Sequence, residues 1–266
     1  MTILHIIGLT LVSFGPILIF SIISIFNEPV KCIIFVASCI FGLIGLFLSS
    51  MLWFMIVPLR DKLLYAMIMS VFIQGAMKYV WYRVLRSSIK GFQKILKDQD
   101  TTNNMNLKYF YVSGAGFGII TSGLAIINSL SELWGPGTFG IKNKTFYKYI
   151  VVKALSAQIF IFLNICWTII FYIGLDKKHY SKVILVFLTH LLAVLLAYFN
   201  KFNFNILTIS ALYCTLISLF FYTIIICGVT YSSTVISLKK CLQDINSFKD
   251  RFKVTKGEGT SPQGSL

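Results

Sequence analysis

Residues 111–123, YVSGAGFGIITSG, place four glycines and the hydroxyls of Ser113, Thr121 and Ser122 in an otherwise apolar run. Glycines at this density suit a phosphate-cradling loop, where bare backbone amides reach the oxygens. Such a loop follows a strand, opens a helix and carries Lys-Ser/Thr or a distal acid. Gly114-Ala115-Gly116-Phe117-Gly118 has none of these. A serine nucleophile needs a base within hydrogen-bond reach. Ser113 and His190 would be that pair, yet the glycine-x-serine-glycine pattern of rhomboid proteases is missing, with Tyr111 at its first glycine position. An intramembrane aspartyl protease needs two aspartates sharing a proton. The nine carboxylates (Glu28, Asp61, Asp98, Asp100, Glu132, Asp176, Asp244, Asp250 and Glu258) all fall in loops, at the ends of apolar runs or in the tail. His5, His179 and His190 are too scattered to read as metal ligands, and the six cysteines form no CxxC. Buried thiols are expected, not ligands or a disulfide framework. No catalytic residue, metal or cofactor is expected.

What remains for the stretch is geometry. Gly114, Gly118 and Ser122 recur every four residues along one helix face, with Gly123 beside it. Missing side chains there let another helix approach closely, gaining van der Waals contact where lipid provides no hydrophobic drive. The plainer account is that glycine is common in membrane helices. The spacing predicts a docking groove, filled from this chain or from a partner. Gly118→Leu is then expected to block assembly without unfolding the chain. Among polar residues in apolar runs, Gln74 and Lys78 share a face at i and i+4. Lys78 and Lys153 lie near run ends, close enough to snorkel to an interface. Asn164 and His190 lie deeper, where an unpaired polar group costs several kcal/mol. Two readings follow, an interhelical hydrogen bond between Asn164 and His190 or a polar transport path.

These residues need elements that hold them in lipid. The chain of 266 residues is 57% hydrophobic and only 12% charged, against about 25% charged in soluble domains. That deficit leaves too little polar surface for a water-facing globule. The net charge of +15 does not point to nucleic acid, because the cations punctuate apolar runs instead of forming one face. A bilayer core about 30 Å thick needs roughly 20 apolar helical residues. Seven runs qualify, at about 3–26, 32–57, 63–82, 109–130, 149–174, 183–199 and 206–230. The fold class expected is an all-α integral membrane protein, with a seven-span domain over 1–238 and a tail over 239–266.

With the amino terminus outside or lumenal, sixteen Lys and Arg fall on the cytoplasmic side and six on the other. The positive-inside rule therefore predicts a lumenal or extracellular amino terminus and a cytoplasmic carboxyl terminus. The first run lacks a basic flank before it and is too long for a signal peptide, so it is expected to be a retained span. The sequon Asn143-Lys144-Thr145 then lies outside, where Asn143 is a glycosylation candidate. The third run continues into RVLRSSIKGFQKILK, a basic amphipathic helix suited to anionic lipid heads or to a partner. The end of the tail, GEGTSPQGSL, has the composition of disorder.

Residues 111–141, YVSGAGFGIITSGLAIINSLSELWGPGTFGI, combine YVSG, further small positions four apart, Ile127-Asn128 and the turn Gly135-Pro136-Gly137-Thr138-Phe139-Gly140-Ile141. This segment resembles the anterior-pharynx-defective subunit family of gamma-secretase. Phe14-Gly15-Pro16, Trp53-Phe54, Gln74 with Lys78, Trp167, Thr189-His190-Leu191-Leu192 and Phe199-Asn200 extend the resemblance over nearly all seven runs in order. The resemblance implies a noncatalytic scaffold within an intramembrane aspartyl protease complex. Its partners would be presenilin, whose aspartates cut, nicastrin and the presenilin enhancer. It would work in endoplasmic reticulum, Golgi and plasma or endosomal membranes on stubs of type I proteins such as Notch. Gly114, Gly118, Ser122 and Gly123 would set helix approach, and Asn164 and His190 would hold the bundle or a partner interface. Two departures stand out. The third family glycine is Ser122, and the fifth-run histidine falls on Asn164, an amide that does not titrate near neutral pH. The alternatives are a small polytopic transporter, with Lys78, Asn164 and His190 as its path, and a seven-span receptor.

Overall fold

A computed structural model describes residues 3–26, 28–56, 63–96, 102–134, 145–198 and 205–227. Asn143, the turn at 135–141 and the tail at 239–266 lie outside the described residues. Among those described, every regular element is helical: α1 (Ile3–Ser24), α2 (Pro29–Met55), α3 (Leu63–Leu96), α4 (Thr102–Trp134), α5 (Thr145–Asp176), α6 (Tyr180–Tyr198) and α7 (Asn205–Cys227). Helices satisfy every backbone group within one segment, as lipid demands. Six of them are long and apolar enough to cross a membrane. The third, α3, stands outside that set by composition, since Gln74 and Lys78 interrupt its apolar part and its last third is the basic extension. It completes the seven expected helices.

Two junctions show how the sequence turns the chain. Pro29 opens α2, where its missing N–H is no loss. Lys31 then reaches back, its ammonium donating to the Ser24 carbonyl at 3.2 Å and to the Glu28 carboxylate at 2.8 Å. One cation thus closes the end of α1 and pairs with the acid before α2. Between α5 and α6, Lys178 takes a left-handed conformation (φ 53°), and the His179 amide returns to the Gly174 carbonyl at 2.8 Å. That is a helix stop usually made with glycine.

The helix packing lies within the unit Met1–Thr223; a second unit begins at Ile224. Its centre is α5, which packs most extensively on α4 and also meets α6 and α1. Ile159, Leu163, Trp167 and Ile170 on one side of α5 and Ile161 and Tyr172 on the opposite side are all fully buried. A helix apolar on all sides belongs inside a bundle. By contrast α1 and α2 leave Ile19, Ile22, Ile33, Phe47 and Phe54 exposed, a surface suited to acyl chains or other membrane helices. On the far side of α4, α2 packs against α4 and α3, and α3 meets α6.

Candidate functional site

The small residues of α4 mark where backbones meet. A Cβ added at Gly114 would stand 2.7 Å from the Ile165 Cα, and one at Gly118 would stand 2.8 Å from the Ile161 carbonyl oxygen, both on α5. On another face, a Cβ at Gly116 would stand 2.8 Å from the Phe35 carbonyl oxygen of α2. So α4 touches backbone on both neighbours, and no side chain fits at these three positions without moving a helix. Gly123 differs, since a Cβ there would meet only the Phe14 ring at 3.8 Å. The groove lined by Gly114 and Gly118 is occupied by α5 of the same chain. A bulky residue at Gly118 therefore strikes the chain's own core before any partner.

Ser122, one turn further, is buried but faces a cavity of about 230 Å³ between α3, α4, α5 and α6. Gln74, Asn164 and His190 line the same cavity. Lys78 lies behind it. Only 2% exposed, its ammonium donates to the Asn164 side-chain oxygen at 2.8 Å instead of snorkelling to an interface. Asn164 in turn donates to the Thr121 hydroxyl at 3.3 Å and to the Phe160 carbonyl at 3.0 Å. One amide therefore ties α3, α4 and α5 together. The Lys78 nitrogen also sits 5.9 Å from the Phe117 ring centre and 5.7 Å from that of Trp167. Aromatic faces carry negative charge density and help to hold a desolvated cation.

His190 does not pair with Asn164. Its imidazole stacks on Trp167, ring centres 4.1 Å apart, while the Trp167 indole N–H donates to the Thr189 hydroxyl at 3.1 Å. The depth of both residues was readable from the sequence, but their partners depend on how helices are rotated against each other. Thr121, Ser156 and Lys153 complete the polar part of the cavity wall and were not grouped with it by sequence reasoning. A signal existed, because Lys153, Ser156, Ala157, Phe160 and Asn164 follow the helical period along one face of α5. A second polar cluster also escaped notice. Arg86, on the α3 extension, clasps Asp176 at the end of α5, with Nε donating at 2.8 Å and a further bond from its terminal nitrogen. The Tyr82 hydroxyl also donates to Asp176, and the guanidinium lies 5.3 Å from the Phe110 ring centre.

This arrangement can register helices and hold a polar guest. Among the described residues, no carboxylate lines the cavity. The family model described as Aph-1 protein matches residues 4–230. The chain is 36% identical over 200 residues to "Gamma-secretase subunit Aph-1" of Drosophila melanogaster, covering 75% of this chain and 83% of that protein. It is 32% identical over 194 residues to "Gamma-secretase subunit APH-1B" of Homo sapiens, covering 70% and 74%. The similarity to "Gamma-secretase subunit aph-1" of Caenorhabditis elegans is 24% over 261 residues, covering 89% and 85%.

Proposed function

The chain belongs to the Aph-1 family, and from that membership we propose that it is a noncatalytic scaffold subunit of a gamma-secretase complex. The match over residues 4–230 carries this reading, since it takes in all seven helices. Cutting would be done by presenilin, with nicastrin and the presenilin enhancer as the other partners and stubs such as that of Notch as substrates. The chain's contribution is a rigid face. Glycine-mediated backbone contact between α4 and its neighbours, reinforced by the Lys78–Asn164–Thr121 chain of hydrogen bonds, supports a bundle that keeps its shape while partners bind outside it. In this reading Gly114, Gly118, Ser122, Gly123, Gln74, Lys78, Asn164 and His190 act on assembly from within. The amino terminus is lumenal or extracellular, the carboxyl terminus is cytoplasmic, Asn143 is a lumenal glycosylation acceptor, and the complex travels from endoplasmic reticulum and Golgi to plasma and endosomal membranes.

The test is a mild-detergent pull-down of the tagged chain, with mass spectrometry and a cleavage assay on a transmembrane stub. Presenilin and nicastrin homologues should come with it. Cleavage should vanish when presenilin's aspartates are replaced. A chain recovered alone and inactive, under conditions that preserve such complexes, would overturn the scaffold reading. Solute flux through that purified chain would replace it with the transporter.

A further inference from the structure

The 34 residues of α3 run unbroken from Leu63 to Leu96, about 50 Å of helix against a hydrocarbon core of about 30 Å. The basic extension therefore leaves the membrane along the helix axis instead of turning to lie on its surface. A helix lies on a membrane by burying an apolar face among acyl chains. Here Trp81, Leu85 and Ile89, four residues apart, are already buried in the protein. What the extension offers outward is charge.

Arg86 fixes the level at which that charge sits. Its bond to Asp176 sets the extension beside the end of α5, where the chain turns into α6. Arg83, Arg86 and Lys90 recur at i, i+3 and i+7 on one helix face, so Arg83 and Lys90 flank the clasp within about 6 Å along the axis. Lys177 and Lys178 follow Asp176 directly, and Lys182 stands in the first turn of α6. Arg83, Lys90, Lys177 and Lys178 are exposed and Lys182 is half-buried. Asp176 is the one described acid in either segment, and Arg86 and Tyr82 already hold it. Among the described residues no carboxylate pairs with the other five cations. A headgroup layer is roughly 5–7 Å deep, so a cluster centred on this turn lies at its level.

We propose that Arg83, Lys90, Lys177, Lys178 and Lys182 form a binding surface for a membrane lipid with a multiply phosphorylated headgroup, of the phosphoinositide class. Charge complementarity selects it. A headgroup with one phosphodiester neutralises one cation and leaves four, whereas two added phosphomonoesters bring the total to about four or five negative charges. The apolar surface below selects a lipid over an acidic protein segment. Tyr180, Ile184, Leu188 and Leu192 form an exposed stripe at four-residue spacing, running down α6 from the turn. An acyl chain follows that stripe while its headgroup stays among the cations. The surface depends on the chain spanning a membrane and stands apart from its role as a subunit.

The experiment titrates the full chain, with whatever membrane partners co-purify, in mild detergent at physiological ionic strength. The probe is a fluorescent phosphatidylinositol bisphosphate, followed by anisotropy. Saturable binding is expected. Lys178→Gly removes one charge and keeps the turn, because glycine takes its left-handed conformation (φ 53°) without strain. Half-saturation should rise about fivefold in that variant and about 25-fold in Arg83→Gln/Lys90→Gln. An equal loss of charge in the tail, Lys253→Gln/Lys256→Gln, should leave it near the wild-type value. Equal weakening by the tail pair and the Arg83/Lys90 pair would mean general attraction to a basic chain and overturns the proposal. Phosphatidylserine competing equally at matched charge overturns it too, as does binding that never saturates. Soluble inositol trisphosphate competing as strongly as unlabelled lipid would assign the surface to a free inositol phosphate instead. Should Arg83→Gln/Lys90→Gln fail to fold, Lys178→Gly decides, and wild-type half-saturation there overturns the proposal. Binding by a chain that purifies without presenilin would leave the lipid surface standing while the subunit reading fell.

Discussion

Asn164 joins three helices through the hydrogen bonds of one buried side chain. Its oxygen receives the Lys78 ammonium, its nitrogen reaches Thr121 on α4, and its own carbonyl accepts from Thr168 at 2.7 Å. Removing one member of a buried hydrogen-bonded pair costs more than removing both, because the survivor is left unsatisfied, most of all when that survivor is a lysine. Asn164→Leu should therefore destabilise the chain by about 3 kcal/mol. Lys78→Met should cost less, since it removes the charge itself, and Asn164→Leu/Lys78→Met should be more stable than Asn164→Leu alone. Thermal unfolding of the four detergent-solubilised proteins completes this cycle, and strictly additive effects would show that the bond contributes nothing. His190 answers to a different force. Its place against Trp167 predicts that His190→Phe retains the stack and most of the stability, whereas His190→Ala opens a void beside a fully buried indole and costs about 3 kcal/mol.

At the scale of the helix pair, α4 and α5 meet because two glycines and no side chain separate their backbones. Gly118→Ala adds one carbon 2.8 Å from a carbonyl oxygen that cannot move without its helix. Overpacking of this kind costs roughly 1–3 kcal/mol, more than alanine regains in helix propensity. At Gly123 the added carbon finds ordinary contact, so Gly123→Ala should be neutral or slightly stabilising. Stability measured on both variants separates a backbone contact from mere glycine abundance; equal effects would mean that spacing on α4 has no bearing on packing. The helices themselves were readable as apolar runs, that of α3 broken by Gln74 and Lys78. The extension of α3 was readable too, from its basic amphipathic pattern. The start of α4 at Thr102 was not, because Thr-Asn-Asn-Met-Asn carries no hydropathy signal. The same limit applies inside the site. Depth follows from position along a run, so Asn164 and His190 announced themselves as buried; that Lys78 rather than His190 meets Asn164 depends on the rotation and neighbour order of α3, α5 and α6.

For the whole molecule, the distribution of cations should decide which end faces the cytoplasm, and the helix order makes that a single choice. Lys177, Lys178 and Lys182 bracket the short turn between α5 and α6, and Arg83, Arg86 and Lys90 follow the membrane part of α3. An odd number of crossings between these two groups would put them on opposite sides, but α4 and α5 make two. Both groups must therefore share a face, and Arg86 bound to Asp176 joins them there. With α6 and α7 each crossing once, the six basic residues beyond Thr230 are expected on that same side. Positive charge resists translocation, so this face should be cytoplasmic and the amino terminus lumenal. In sealed microsomes, protease added outside should remove an epitope from the carboxyl terminus and spare one on the amino terminus. Protection of both tags would mean an even number of crossings, contradicting seven helices that each span. Loss of the amino-terminal tag alone would invert the molecule, placing the Arg86–Asp176 clasp in the lumen and removing the charge argument for orientation altogether.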